Sequence, residues 1–258
     1  MIFLGAFIFV FMHMTAFWFL YRLLKNPSIV DVGWASVLTL TGWVFLLFGN
    51  HAVISLICGA LLLIWGLRLG GYLWFSRVGK GHLDKRYTKL SEGWKMAKDL
   101  GFFLNFQLQG ILAFIIALSF YFISKRTGMV GWDGLGIMMI VVGLIGESAA
   151  DYQLQAYKRN AKEAVCQNGL WRYCRHPNYF FDWLSWLGFS LIAIQAPNGW
   201  IAFVSPLTLY IIMVYITGPM TEAGSLSSRG EAYRTYQRQT NQFFPGPRKK
   251  VKNDNFQA

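Results

Sequence analysis

Residues 130–156 read VGWDGLGIMMIVVGLIGESAADYQLQA. The run is apolar over most of its length and long enough to cross a hydrocarbon core, which takes about 20 apolar residues as a helix. Six more apolar blocks flank it: Phe3–Leu23, Val30–Phe48, Val53–Phe75, Phe102–Ile123, Tyr179–Ile194 and Trp200–Thr217. Composition agrees, with 55% hydrophobic, 17% aromatic and only 14% charged residues, where a soluble domain carries about 25% charged. The fold class expected is all-α: a polytopic membrane protein with seven transmembrane helices, forming one integral membrane domain over residues 1–258.

The net charge of +12 is not a nucleic-acid signature. The cations fall in connections between apolar blocks, as the positive-inside rule and anionic lipid surfaces require. With the N-terminus outside, the inner connections hold Arg22 and Lys25, then the basic run from Arg77 to Lys98, then Lys158, Arg159, Lys162, Arg172 and Arg175. The outer ones hold only Lys125 and Arg126. This asymmetry places the C-terminus in the cytoplasm. Residues 221–258 form the expected cytoplasmic tail, with disorder over Val251–Ala258. The connection Ser76–Gly101 reads in part as an interfacial helix. The first block lacks a basic lead and a cleavage site, so it reads as a retained helix. Cys58, Cys166 and Cys174 make no disulfide framework or zinc pattern, and no metal is expected.

Charges inside the apolar blocks are the candidates for chemistry, because an ionisable group in a membrane helix is costly. Glu147 and Asp151 are four apart and share a helix face, and Lys158 falls on nearly the same stripe. Structural pairing with a cation such as Arg68 is the plainer alternative. Asp31, in Asp31-Val32-Gly33-Trp34, either caps its helix or belongs to a site. Arg68 sits deep and calls for a carboxylate partner or a snorkelling path. Trp171-Arg172-Tyr173-Cys174-Arg175-His176-Pro177-Asn178-Tyr179 runs into an apolar block, with proline placed to open the helix. A helix N-terminus ringed by Arg and His suits a phosphate. Tyr233 and Tyr236, flanked by Arg234 and Arg238, suit stacking on a base or an interfacial aromatic belt. Neither a Rossmann glycine pattern nor a phosphate loop is present. His13 and His51 read as structural, and His82 as solvent-facing.

The order of these motifs resembles the bacterial branch of the membrane steroid 5α-reductase family. The resemblance rests on Asp31-Val32-Gly33-Trp34, Gly66-Leu67-Arg68-Leu69, Asp84-Lys85-Arg86-Tyr87, Glu147 through Gln153, Gly169-Leu170-Trp171, Arg175 to Tyr179, and the tail from Tyr233 to Pro245. It implies NADPH-dependent reduction of the carbon–carbon double bond of an enone lipid, a 3-oxo-Δ4 steroid above all. Hydride reaches the β-carbon and a proton the α-carbon. It further implies that Glu147, Asp151, Lys158, Arg172, Arg175, His176, Asn178, Tyr179, Tyr233 and Tyr236 hold the cofactor on the cytoplasmic side. Trp34, Arg68 and Asp182 fall to the substrate, which enters from the bilayer among membrane lipids. Asp31 and Tyr87 fall to catalysis, with Asp31 protonated so that it can donate to the ketone oxygen.

Two departures bear on that assignment. The family's Gln-Glu pair in the second helix is here Val30-Asp31, and its third-helix tyrosine aligns with Trp65, with Tyr72 and Tyr87 downstream. A rival reading is an S-adenosylmethionine-dependent membrane methyltransferase of the isoprenylcysteine carboxyl or phospholipid type. Those enzymes carry Arg-His-Pro-x-Tyr at a helix start with a Glu-Glu pair before the tail tyrosines, where this chain has Glu222 alone. Lys158, Arg172 and Arg175 suit a phosphate-rich dinucleotide better. A non-enzymatic lipid-binding scaffold leaves Glu147, Asp151 and Arg68 without a reason.

Overall fold

A computed structural model describes residues 1–81, 83–159 and 164–249, with the Lys85 side chain excepted. The expectations for His82, Lys162 and Val251–Ala258 lie outside the described residues. The described residues form helices and no strand.

Among the described residues nine α-helices follow in order: α1 Ile2–Leu24, α2 Ile29–Leu47, α3 Val53–Ser76, α4 Lys85–Glu92, α5 Lys98–Ile123, α6 Asp133–Arg159, α7 Pro177–Ala193, α8 Val204–Ile211 and α9 Gly218–Gln239. The expected apolar blocks correspond to α1–α3, α5, α6, α7 and the run from Gly199 through α8. Among the described residues six helical runs are long and apolar enough to cross a membrane. The expected sixth block is the exception: α7 has 17 residues and carries Asp182. The interfacial stretch expected before α5 contains the eight-residue α4, whose N-cap Asp84 accepts from the Arg86 N–H. That bond satisfies one of the helix's orphan donors.

The chain divides into two compact units, Met1–Ile140 with Trp186–Leu209, and Val141–Ser185 with Tyr210 onward. In the first unit α2 is the central element and packs against α1, α3 and α5. Its Ile29, Val30, Val37, Leu38 and Phe45 are fully buried. α1 instead keeps Phe3, Leu4, Phe7, Ile8 and Phe11 exposed, as a helix facing lipid does. Trp65 and Trp186 meet edge to face at 5.2 Å, and Phe120 and Phe189 complete that aromatic core. Ser119 sits 3.1 Å from the Ser190 hydroxyl and 2.7 Å from the Ser205 hydroxyl, so the buried polar groups satisfy one another. Arg126 and Asp133 form a buried two-pronged pair at 2.9 Å, and Arg126 also donates to the Ile192 carbonyl.

The second unit holds the C-terminal part of α6, the start of α7 and the chain from Tyr210. Gly143 and Gly146 on α6 lie against Ser185 and Phe181, where any Cβ would collide. The glycines therefore set the close approach of α6 and α7. Proline opens α7, as expected from its missing N–H. A π-helical turn spans Ile212–Thr217, and its Val214 carbonyl accepts from Gln242 Nε2 at 3.0 Å. α9 carries on from this turn, so the tail expected from residue 221 is helical as far as Gln239, with a break at Gly230 where φ is 53°. Phe243 and Phe244 pack on Phe180 and Trp183 of α7.

Candidate functional site

In the second unit the close α6–α7 contact brings two polar pairs together. Glu147 and Asp151 lie one turn apart on α6, and Asn178 and Asp182 one turn apart on α7. Glu147, Asp151 and Asp182 are all buried. Asn178 Nδ2 donates to Asp151 Oδ1 at 3.3 Å and so joins the helices. The other end of that amide, Oδ1, is buried with no hydrogen-bond partner among the described residues. A buried acceptor left open costs free energy, of order 1–3 kcal/mol. The turn that delivers Asn178 is pinned to α6: Trp171 Nε1 donates to the Ala150 carbonyl at 2.9 Å, and Leu170 N to Gln153 Oε1 at 2.9 Å. Gly169 supplies the left-handed turn at φ 59°, where Gln153 crowds any side chain.

The adjoining Arg175 and His176 do something else. Arg175 clamps Glu222 of α9 with Nε at 2.7 Å and Nη2 at 3.2 Å, a bidentate charge-assisted pair. His176 Nε2 donates to the same carboxylate at 3.0 Å, and Gln237 Nε2 at 2.6 Å. Arg175 Nη1 goes on to the carbonyls of Gln237 and Thr240. The Tyr236 hydroxyl donates to the Trp171 carbonyl at 2.6 Å, and Cys174 Sγ to the Phe243 carbonyl at 2.9 Å. Burial pushes the Cys174 thiol up to about 12, against smaller opposing effects of the His176 backbone and Arg175. This is a knot that fastens residues 236–246 to the start of α7.

These contacts engage part of the expected cofactor set within the protein. Arg175 and His176 already hold an internal anion, the Glu222 carboxylate. Tyr233 and Tyr236 are buried in a cluster with Val165, and their rings are used in packing, not presented to a base. Tyr179 stacks on the His176 ring at 5.0 Å. Lys158 and Arg172 are exposed. A nicotinamide carboxamide fits the residues at the other end, because its N–H group matches the open Asn178 acceptor.

The first unit carries a second cluster. Asp31 lies in the first turn of α2, but its carboxylate makes no cap. It accepts instead from Arg77 at the end of α3, from Arg86 Nη2 at 3.1 Å, and from the Tyr87 hydroxyl at 2.5 Å. Three donors thus face the Asp31 carboxyl group. Asp84 is held by Arg86 Nη2 at 2.7 Å and Arg77 at 3.3 Å. Burial pushes the Asp84 carboxyl up, but the Arg86 and Arg77 guanidiniums outweigh that and leave it below the ordinary range. Burial, then the Asp31 charge, raise the Tyr87 phenol well above its ordinary value, so it stays a protonated donor. Trp34 is half-buried on α2, and the Arg68 guanidinium lies 6.0 Å from the Tyr72 ring centre on α3. Trp65, aligned with the family's tyrosine, belongs to the aromatic core.

Three residues that matter most here had no place among the expected site residues. Arg77 and Arg86 stood among the inner cations, and Glu222 was noted as a lone glutamate. The Asp84–Tyr87 run was visible as a motif, but its pairing with Asp31 is tertiary.

The architecture is that of a helical integral membrane protein, with a buried acid–amide pair in one unit and an arginine–carboxylate–phenol cluster in the other. The chain belongs to the DUF1295 family of proteins of unknown function, whose model matches residues 17–240. No curated protein and no solved structure matches it.

Proposed function

We propose that this protein is an NADPH-dependent reductase of a conjugated enone lipid, with a 3-oxo-Δ4 steroid as the model substrate. The observation that carries the reading is the Asn178 amide: one end is fixed by Asp151, and the other is a buried acceptor open to a carboxamide N–H. Asp151 sets which way the amide faces, because its carboxylate can only accept. Lys158 and Arg172, both exposed, contact the phosphates. Bound NADPH supplies the hydride for the conjugate addition. Negative charge then gathers on the substrate ketone, and Tyr87 is assigned to donate to it. The one proton of the phenol goes to Asp31 at 2.5 Å, so donation to the ketone takes a turn of the hydroxyl away from Asp31. Trp34, Arg68 and Asp182 are assigned to the substrate. The membrane arrangement proposed has seven spans, with α7 as the shortest, the N-terminus outside and the cofactor side in the cytoplasm, in a bacterial inner membrane.

One observation favours the methyltransferase reading. Glu222 is bonded to both Arg175 and His176, the partnership of a tail glutamate with an Arg-His-Pro helix start. It also removes Arg175 from the cations available to a dinucleotide. The experiment that separates the readings is turnover. Purified protein with NADPH and a 3-oxo-Δ4 steroid should yield a product two hydrogens heavier. A methylated lipid formed from S-adenosylmethionine, with no enone reduced, would replace this proposal with the other.

A further inference from the structure

Three amide side chains, Asn105, Gln107 and Gln109, stand on the membrane-spanning α5, outside the proposed reductase chemistry. The start of α5 carries the aromatic anchors of a membrane interface. Trp18 Nε1 donates to the Asp99 carbonyl at 2.9 Å, and the Tyr21 hydroxyl to the Asp99 carboxylate at 3.2 Å. At 1.5 Å of rise per residue, Asn105 is about 11 Å and Gln109 about 17 Å beyond Lys98 along the helix. Both therefore lie inside a hydrocarbon layer about 30 Å thick.

Gln107 is used in packing: its Nε2 donates to Thr15 Oγ1 of α1 at 3.0 Å. The other two amides hold no second helix. Gln109 Nε2 donates to Asn105 Oδ1 at 2.9 Å, one turn away on α5 itself, and among the described residues the pair bonds only to each other. A bond between residues four apart on one helix returns a fraction of what it costs to take two amides out of water. Helix stability alone gives no reason for the pair at this depth.

The pair is also turned away from the lipid-facing stripe of α5, which is Leu104, Leu108 and Ile111, all exposed. Gln109 is seven positions from Ile116, and Asn105 is eighteen positions, five full turns, from Ile123. Both isoleucines are fully buried. Along this stripe the C-terminal half of α5 is closed by packing, while Asn105 and Gln109 stay half-buried.

The bond between the two amides fixes how each is turned. Asn105 has engaged its oxygen and offers its N–H groups, and Gln109 has engaged an N–H and offers its carbonyl. A donor and an acceptor thus stand within one turn of each other. A hydroxyl matches both, since it donates and accepts through one oxygen. A ketone only accepts and leaves the Gln109 carbonyl without a partner. A charged headgroup stays at the interface, because charge at this depth is costly.

We propose that Asn105 and Gln109 form a recognition site for a lipid hydroxyl, with the Asn105 amide donating to the hydroxyl oxygen and the Gln109 carbonyl accepting from it. The inference rests on the reductase reading and adds a second polar group to the substrate: an enone lipid that also carries an alcohol. Neither residue has a role by resemblance.

The test compares two probes, a 3-oxo-Δ4 steroid with a hydroxyl on its far ring and the same steroid with a ketone in that place. Wild type, Gln109→Leu and Asn105→Leu are purified in detergent and assayed with saturating NADPH. Wild type should favour the hydroxysteroid in kcat/KM by about tenfold, the effect of one buried acceptor left unpaired. Gln109→Leu removes that acceptor, and Asn105→Leu frees the Gln109 amide to turn and donate. In each variant the two steroids should become equal. Thermal stabilisation by NADPH should match wild type in both, which shows that they are folded. A wild type that does not favour the hydroxysteroid, or folded variants that keep the preference, would overturn the inference and leave the reductase reading intact. A wild type that reduces neither steroid would overturn both.

Discussion

Two clusters in this molecule use the same chemistry to opposite ends. Around Glu222, one carboxylate draws in Arg175, His176 and Gln237. Around Asp31, one carboxylate draws in Arg77, Arg86 and Tyr87. In the first, the remaining donors of Arg175 run to backbone carbonyls, and the polar capacity is spent on holding residues 236–246 to α7. In the second, the chain of ions ends in the Tyr87 phenol, whose one proton goes to Asp31. The motif most conspicuous in sequence, Arg175-His176-Pro177, is therefore the more structural of the two. The site-like element beside it is Asn178, whose amide is only half used.

Removing Glu222 should break that comparison most visibly. Glu222→Ala strands a guanidinium and an imidazole and should cost about 3 kcal/mol, the lower end for removing one partner of a buried pair. Thermal unfolding checks it, and an unchanged melting temperature would mean the knot is not structural. Tyr87→Phe comes next and should do the reverse. Turnover should fall about a hundredfold, near 2.7 kcal/mol in the barrier, while stability changes by about 1 kcal/mol or less because both guanidiniums still serve Asp31. Since burial raises the Tyr87 phenol, the donor survives at alkaline pH. The rate profile should show no alkaline limb below about pH 10, the ordinary tyrosine value. A limb in the neutral range would assign donation to another group.

Asn178→Ala should weaken NADPH binding about tenfold, near 1.4 kcal/mol, as measured by titration. Wild-type affinity would remove Asn178 from the cofactor set. The smallest effect is expected at Cys174. Its thiol is buried, bonded to the Phe243 carbonyl and pushed up to about 12. The thiolate is the reactive form, so at pH 8 a maleimide should leave Cys174 unmodified until the protein unfolds. Rapid labelling of the folded protein would show that the knot opens.

Much of the fold was legible because its signal is length. Blocks of apolar residues become helices with ends shifted by a few positions: α5 starts at Lys98 rather than Phe102, and α6 runs on to Arg159. The π-helical turn at Ile212–Thr217 and the continuation into α9 were not legible, since Gly218-Pro219 reads as the end of a helix rather than its continuation. At the sites, membership was easier to read than partnership. Asp31 and Asp151 stood out as acids in apolar company, and Tyr87 and Asn178 through the motifs that carry the family resemblance. That Asp31 pairs with Arg77, and Arg175 with Glu222, depends on contacts 46 and 47 residues apart in sequence. A cation in a connecting segment looks the same whether it meets lipid, phosphate or a carboxylate, so Arg175 read as a phosphate ligand and Arg77 as an orienting charge for the membrane.

The reductase reading and its rival differ first in which cofactor the folded protein recognises, and thermal stability reports that directly. NADPH at a hundredfold excess over its Kd should stabilise the purified protein by about 2.7 kcal/mol, with S-adenosylmethionine at the same concentration leaving the melting temperature unchanged. Stabilisation by S-adenosylmethionine and none by NADPH would contradict the account.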